Sequence, residues 1–310
     1  MKNNLPQNKR ALTWLSGAHF VNDVYTGVLN PIMPFIAAKI GISMAIATVV
    51  LTVSHVFSSL MQPLFGFFAD NIEKRSFIFW GLILSSIFIP LSAQAGNVYL
   101  LILFICIGCV GSSLFHPQAL GLTSRISKGL DETKAMAIFL AMGTLGYSTG
   151  PIVSSAITQF VGLNKMSIMS VLGIFWAFYM FKIVPKISVL NDSKPKIHFK
   201  KAFKEILSNR KLNILNIIAM LKTVVQSSCF ILLPFLWKDM GHRPFYIGIA
   251  LFLFIFAGGL GSLVSSYVEK RMGAKNVFYI SMISTLPIML LFLMMCPKFP
   301  ILSLVVFVFM

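Results

Sequence analysis

Ten apolar runs, separated by short polar or basic stretches, make up most of the chain: roughly 11–37, 43–69, 76–96, 98–122, 135–160, 166–185, 213–237, 245–267, 276–296 and 300–310. A helix needs about 20 apolar residues to cross some 30 Å of hydrocarbon, and most of these runs reach that length. A soluble domain would show a polar face on most of its helices; here the apolar stretches run uninterrupted. The pattern predicts an all-α, polytopic transmembrane helix bundle with about nine full spans plus part of a tenth.

Composition agrees, with 57% hydrophobic and 11% charged residues and a mean hydropathy of +0.84. The formal charge of +17 would suit nucleic acid, but its placement along the chain gives another explanation. Of the 26 Lys and Arg, 20 fall on the side of the N-terminus, five on the opposite side, and Lys222 lies inside the seventh run. That asymmetry follows the positive-inside rule, so the reading is a multi-pass plasma-membrane protein with a cytoplasmic N-terminus and no nucleic-acid partner. The opening MKNNLPQNKR precedes an apolar run too long for a signal sequence, and that run is read as the first spanning helix. The four cysteines all sit in apolar runs; Cys106 and Cys109 form a C-x-x-C without a second pair or a nearby His, so they are read as packing residues and no metal site is expected.

The chain divides into a six-helix transmembrane half (1–185), a basic cytoplasmic loop (186–212) that lies against anionic headgroups, and a partial second half (213–310). A weak repeat supports two halves: Pro34, Phe35 and Gly41 recur as Pro234, Phe235 and Gly241, and Arg75 meets Lys275 at the same offset. Parallel halves about an axis along the membrane normal produce such a pattern. The sequence stops at Met310 inside an apolar run, so the second half is expected to lack its last two or three helices.

The costliest residues are polar ones within these runs, because an ionisable group at mid-bilayer costs about 2.5–3.5 kcal/mol on insertion scales. At 100° per residue, His19, Asp23, Thr26 and Asn30 of the first run share one helix face, with Asn22 beside Asp23. A His four residues before an Asp can share a hydrogen bond or a proton with it. The pair is read as a proton-exchanging site, a structural interhelical hydrogen bond being the other reading. The fourth run holds His116-Pro117-Gln118, where Pro117 permits a kink. The seventh carries Lys222 and Gln226, one turn apart. Lys222 either faces an aqueous cavity, where it suits an anionic or zwitterionic solute, or snorkels to the interface. His55 is assigned to a helix–helix hydrogen bond, and Trp14, Trp80 and Trp237 to interfacial anchors or lipid-facing bulk.

Three further patterns concern helix contacts. Gly66, Asp70, Lys74 and Arg75 space out a G-x-x-x-D-x-x-x-[KR]-[KR] loop between the second and third runs; taken alone it is also a generic basic turn. After the eighth run Lys270 stands where an acid would repeat Asp70, so that copy is degenerate and receives no role. Gly143, Gly146, Gly150 and Pro151, followed by Ser154 and Ser155, form a small-residue stripe for close helix packing.

The 66–75 loop resembles the signature loop of the major facilitator superfamily, and Gly146-x-x-x-Gly150-Pro151 resembles the fifth-helix motif of its antiporters, with Ser154 and Ser155 in place of the glycines that often follow. Ordinary small-residue packing explains the stripe equally well. His19-x-x-Asn22-Asp23 together with Gly111-Ser-Ser-x-Phe-His116-Pro117 resembles the fosmidomycin-resistance group, along essentially the whole chain and most strongly through residue 160, including Gln62-Pro63.

The resemblance implies two parallel six-helix halves and a cavity lined by His19, Asn22, Asp23, His116, Gln118, Lys222 and Gln226. It implies a conformational latch at Gly66, Asp70, Lys74 and Arg75, and a packing motif at Gly146, Gly150 and Pro151. The function it implies is proton-coupled efflux of a drug or small metabolite by alternating access, in a monomer of the bacterial inner membrane. Its partners are the lipid bilayer, a small-molecule substrate and protons. No cofactor is expected, since no phosphate-binding loop occurs, and no enzyme, since no nucleophile–base pair stands out. Uptake or exchange of a sugar or organic acid is a second reading, and a non-transporting truncated fragment a third.

Overall fold

In the computed structural model, residues 5–68, 74–128, 130–184 and 208–296 are described. Asp70 and the run 300–310 lie outside them, as do the side chains of Lys74, Lys222 and Gln226. Among the described residues there is no strand. The helices are α1 (Leu5–Gly27), α2 (Leu29–Ile40), α3 (Met44–Phe68), α4 (Lys74–Leu91), α5 (Val98–Ile126), α6 (Glu132–Ala156), α7 (Ser170–Ile183), α8 (Arg210–Asp239), α9 (Pro244–Met272) and α10 (Ala274–Met295). Helices satisfy every backbone group internally, which is the condition for standing in lipid.

Among the described residues, six stretches are long and apolar enough to span a bilayer, and one of them, Glu132–Ile183, carries both α6 and α7. The first run, expected as one helix, breaks at Val28 into α1 and α2. Pro31 has no N–H to give the carbonyl of Gly27, so the ladder is interrupted there. Between α6 and α7 the chain widens into a π-helical turn, reverses at Gly162 (φ 108°) and tightens into a 3₁₀ stretch.

The repeat at an offset of 200 is visible in the backbone. Gly41 (φ 71°) and Gly241 (φ 84°) both take the left-handed conformation that ends a helix. The amide of Ile42 donates to Ala37 O at 3.1 Å, and that of His242 to Trp237 O at 2.9 Å. Helices α1 and α2 together thus recur as α8, and α3 and α4 as α9 and α10.

The interior mixes small polar residues with apolar ones, and part of the apolar surface is exposed. Ser85, Ser112, Ser113, Ser148, Ser154 and Ser155 are buried, while Val49, Val53, Val56 and Leu60 of α3 form an exposed apolar stripe. Small residues inside let helices approach, and large apolar ones face lipid. On α6, a Cβ at Gly146 would land on the carbonyl oxygen of Phe20, and one at Gly150 on that of Val24. These glycines let α6 lie directly on the backbone of α1. Gly81 and Gly111 do the same for α4 and α5.

The tryptophans correct one expectation. Trp80 is exposed, but Trp237 is fully buried in a second apolar cluster with Leu251, Phe254 and Phe292. Trp14 packs on Trp176 and Tyr179 of α7, with ring centroids 4.9 and 4.2 Å away. Helix packing, absent from a one-dimensional pattern, claims both rings. His55 likewise is exposed on α3, with no hydrogen-bond partner for its ring among the described residues.

Gly146→Val should lower the melting temperature in detergent, since inserting bulk into a closed contact costs about 1–3 kcal/mol or more. Gly258→Ala, whose Cβ would meet nothing within 4 Å, should leave it unchanged or raise it.

Candidate functional site

Three helices bring polar groups to one point in the apolar interior. Asp23 is the one acidic residue of the nine that lies inside an apolar run. Its Oδ2 stands 3.2 Å from His19 Nε2, one turn earlier on α1. Its Oδ1 stands 3.3 Å from His116 Nε2 on α5. Asn22 closes the group: its Nδ2 donates to Asp23 Oδ1 at 3.0 Å and lies 3.4 Å from both Ser112 Oγ and His116 Nε2. Ser85 on α4 donates to Asn22 Oδ1 at 3.0 Å, which fixes the amide. A buried carboxylate without such partners would carry a large desolvation penalty.

Helix α6 sets the orientation of His19. The ring lies between Phe139, stacked with a centroid separation of 4.2 Å, and Gly143, where any Cβ would strike the imidazole. His19 Nδ1 donates to Phe139 O at 2.8 Å. A carbonyl only accepts, so Nδ1 carries the proton and Nε2 is turned toward Asp23.

The cluster borders a cavity of about 590 Å³. His19, Gln62, His116, Pro117, Leu120 and Phe139 are among its lining residues, and of the three clustered side chains His116 is the most exposed at 26%, against 13% for Asp23 and 7% for His19. The lining comes from the C-terminal halves of α3 and α5 and the N-terminal part of α6, so the cavity lies toward the face on which α1 begins. At the opposite face the two parts of the bundle meet tightly. Gly248 of α9 abuts Pro151 O and Ser155, the Phe245 amide donates to Gln159 Oε1 at 3.1 Å, and Lys238 Nζ sits 5.9 Å from the Phe35 ring.

His19, Asn22, Asp23 and His116 therefore converge. Gln118 does not join them: two residues past His116 it has turned about 200° around α5, is buried, and donates from Nε2 to Phe65 O of α3 at 3.1 Å. Arg75 ties the start of α4 to the end of α7, donating to Val184 O at 3.2 Å with its guanidinium 4.2 Å over Phe181. Gly66 packs on Pro117, and Asp70 lies outside the described residues. Asn30, expected on the same face as Asp23, sits beyond the break, buried with no partner among the described residues. The roles of Ser85, Phe139 and Gly143 escaped sequence reasoning; nothing in a serine, a phenylalanine carbonyl or one more glycine marks it as a polar partner.

A polar cluster sunk in a bundle of helices of membrane-spanning length, open to one face and closed at the other, marks a multi-pass membrane protein with an architecture suited to moving solutes. The chain belongs to the Major Facilitator Superfamily, which it matches over residues 15–310. It is 24% identical over 282 residues to the fosmidomycin resistance protein of Escherichia coli K12, with 89% of this chain and 69% of that one covered. It is also 24% identical to the sialic acid transporter NanX of the same organism, covering 86% of this chain and 65% of that one. The chain thus spans about two thirds of these relatives. In fold it matches a bacterial homolog of the human lysosomal transporter Spinster, in an inward-facing and unoccupied conformation. The TM-score is 0.71 at 18% identity, over 86% of this chain and 64% of that one.

Single cysteines at Gln62 and Leu120, in a background lacking the native cysteines, should react with a membrane-impermeant thiol reagent applied from the N-terminal face. Cysteine at Gln118 should stay unlabelled. Equal labelling of all three would contradict the cavity as drawn.

Proposed function

We propose that the chain acts as a proton-coupled carrier that expels a drug or small metabolite by alternating access, with its N-terminus on the cytoplasmic side of a bacterial inner membrane. The contact between His19 and Asp23 carries this reading. With its proton on Nδ1, a neutral His19 offers only a lone pair at Nε2, facing Asp23 Oδ2 at 3.2 Å. Two acceptors repel at that distance. A further proton shared between them turns the repulsion into a charge-assisted hydrogen bond, worth about 1.5–3 kcal/mol. His116 Nε2 is the next station for that proton, since it can donate to Asp23 or accept from Asn22.

Proton loss would force the His19 ring to move, and the ring is wedged against Phe139 and Gly143 of α6. Helix α6 also carries Gly146, Gly150 and Pro151, the contacts to α1 and α9. The charge state is thereby read by the helix that bridges the two parts of the bundle. Each proton crossing 100 mV supplies about 2.3 kcal/mol. Substrate enters the cavity beside His116, with Lys222 and Gln226 of α8 as its contacts from the second half. Gly66, Asp70, Lys74 and Arg75 act as the conformational latch; the tie of Arg75 to α7 supports an anchoring part in it.

The similarity to NanX favours one other reading, uptake of a sugar acid on the same scaffold. Everted vesicles separate the two, with fosmidomycin and sialic acid as probes: efflux gives substrate-dependent proton release, symport gives co-movement. Asp23→Asn places an amide N–H where the shared proton lies, so the fold should survive while proton release falls at least about tenfold. Unchanged release would remove Asp23 from the mechanism.

A further inference from the structure

The atoms of His19, Asp23 and His116 that can bind a metal all lie within 4.8 Å of one another. Donors about 2.0–2.1 Å from a tetrahedral zinc stand about 3.3–3.4 Å apart. His19 Nε2 stands 3.2 Å from Asp23 Oδ2 and His116 Nε2 stands 3.3 Å from Asp23 Oδ1, so each imidazole lies at ligand-pair distance from one oxygen of the same carboxylate, which can hold a metal through either oxygen or both. The two imidazole nitrogens lie within 4.8 Å of each other, and His116 is the most exposed of the three side chains.

The surroundings have the form of a metal site's outer shell. A ligating histidine characteristically donates its second ring nitrogen to a carbonyl or carboxylate, which fixes the tautomer. His19 Nδ1 does so to Phe139 O at 2.8 Å. The ligating carboxylate is commonly hydrogen-bonded in turn, and Asn22 Nδ2 holds Asp23 Oδ1 at 3.0 Å. The fourth position is open, because His19 and His116 both line the 590 Å³ cavity, where water or a solute donor has room.

We propose that His19, Asp23 and His116 form a Zn²⁺ site facing the cavity, in which the metal ties α1 to α5. Two imidazoles and one carboxylate suit Zn²⁺, whereas Mg²⁺ and Ca²⁺ take oxygen donors. The metal would take the place of the proton that His19 Nε2 and Asp23 Oδ2 share in the proposed function; the site itself rests on geometry and stands whichever solute is moved and in whichever direction.

The test uses tag-free, chelator-treated protein in detergent. ZnCl₂ at a hundredfold excess over its Kd should raise the melting temperature by about 5–10 °C, and MgCl₂ should not. Co²⁺ should give visible bands of tetrahedral intensity without thiolate charge transfer. His116→Gln should weaken Zn²⁺ binding at least about tenfold, while His242→Gln, in the turn between α8 and α9, should not change it. Absence of both the shift and the Co²⁺ bands in the unaltered protein overturns the site, so a misfolded variant does not shield it. Binding that survives His116→Gln, follows His242 or shows thiolate charge transfer overturns it as well.

Discussion

The carboxyl of Asp23 must be satisfied in the middle of an apolar bundle, and much of the local architecture answers that demand. Its two oxygens meet one imidazole each, from α1 and from α5. The Asn22 amide reaches the same carboxyl and is itself fixed by Ser85 of α4. His19 is held by a carbonyl of α6 and by the notch at Gly143. Four helices are committed to one charge. Replacing any one partner would leave a buried polar group short of a hydrogen bond, a loss of about 1–3 kcal/mol.

That convergence is possible because the helices touch backbone to backbone. Gly146 and Gly150 bring α6 onto α1, while Gly81 and Gly111 bring α4 onto α5. In lipid, apolar side chains gain nothing by turning inward, so close packing of small residues and interhelical hydrogen bonds take over the work of cohesion. The same contacts confine His19 against α6, which itself packs on α9.

The asymmetry of the bundle supplies the other requirement of a carrier. The cavity lies toward the face where α1 begins, and the far end is closed by Gly248 on Pro151 and by Phe245 on Gln159. The closing contacts join residues from α6 and its continuation to α9, whose counterpart in the repeat is α3. Recurrence of the left-handed glycine turns at Gly41 and Gly241 shows that the two parts share one backbone plan.

The sequence by itself determined that the protein is a helical membrane bundle, where most helices lie, and that it contains a repeat. These follow from hydrophobic length and from glycines in turns, which are local properties. It also marked His19, Asp23 and His116, because a polar group inside an apolar run is costly wherever it faces. Only the tertiary structure decided which of the costly groups meet. Gln118, two residues from His116, turns to α3 instead; Trp237, placed by pattern at an interface, is buried; and the break at Val28 sets Asn30 apart from Asp23. Ser85, the Phe139 carbonyl and Gly143 carry no chemical label in one dimension. Their part depends on the rotation of each helix about its own axis, which is set by contacts between residues far apart in the chain.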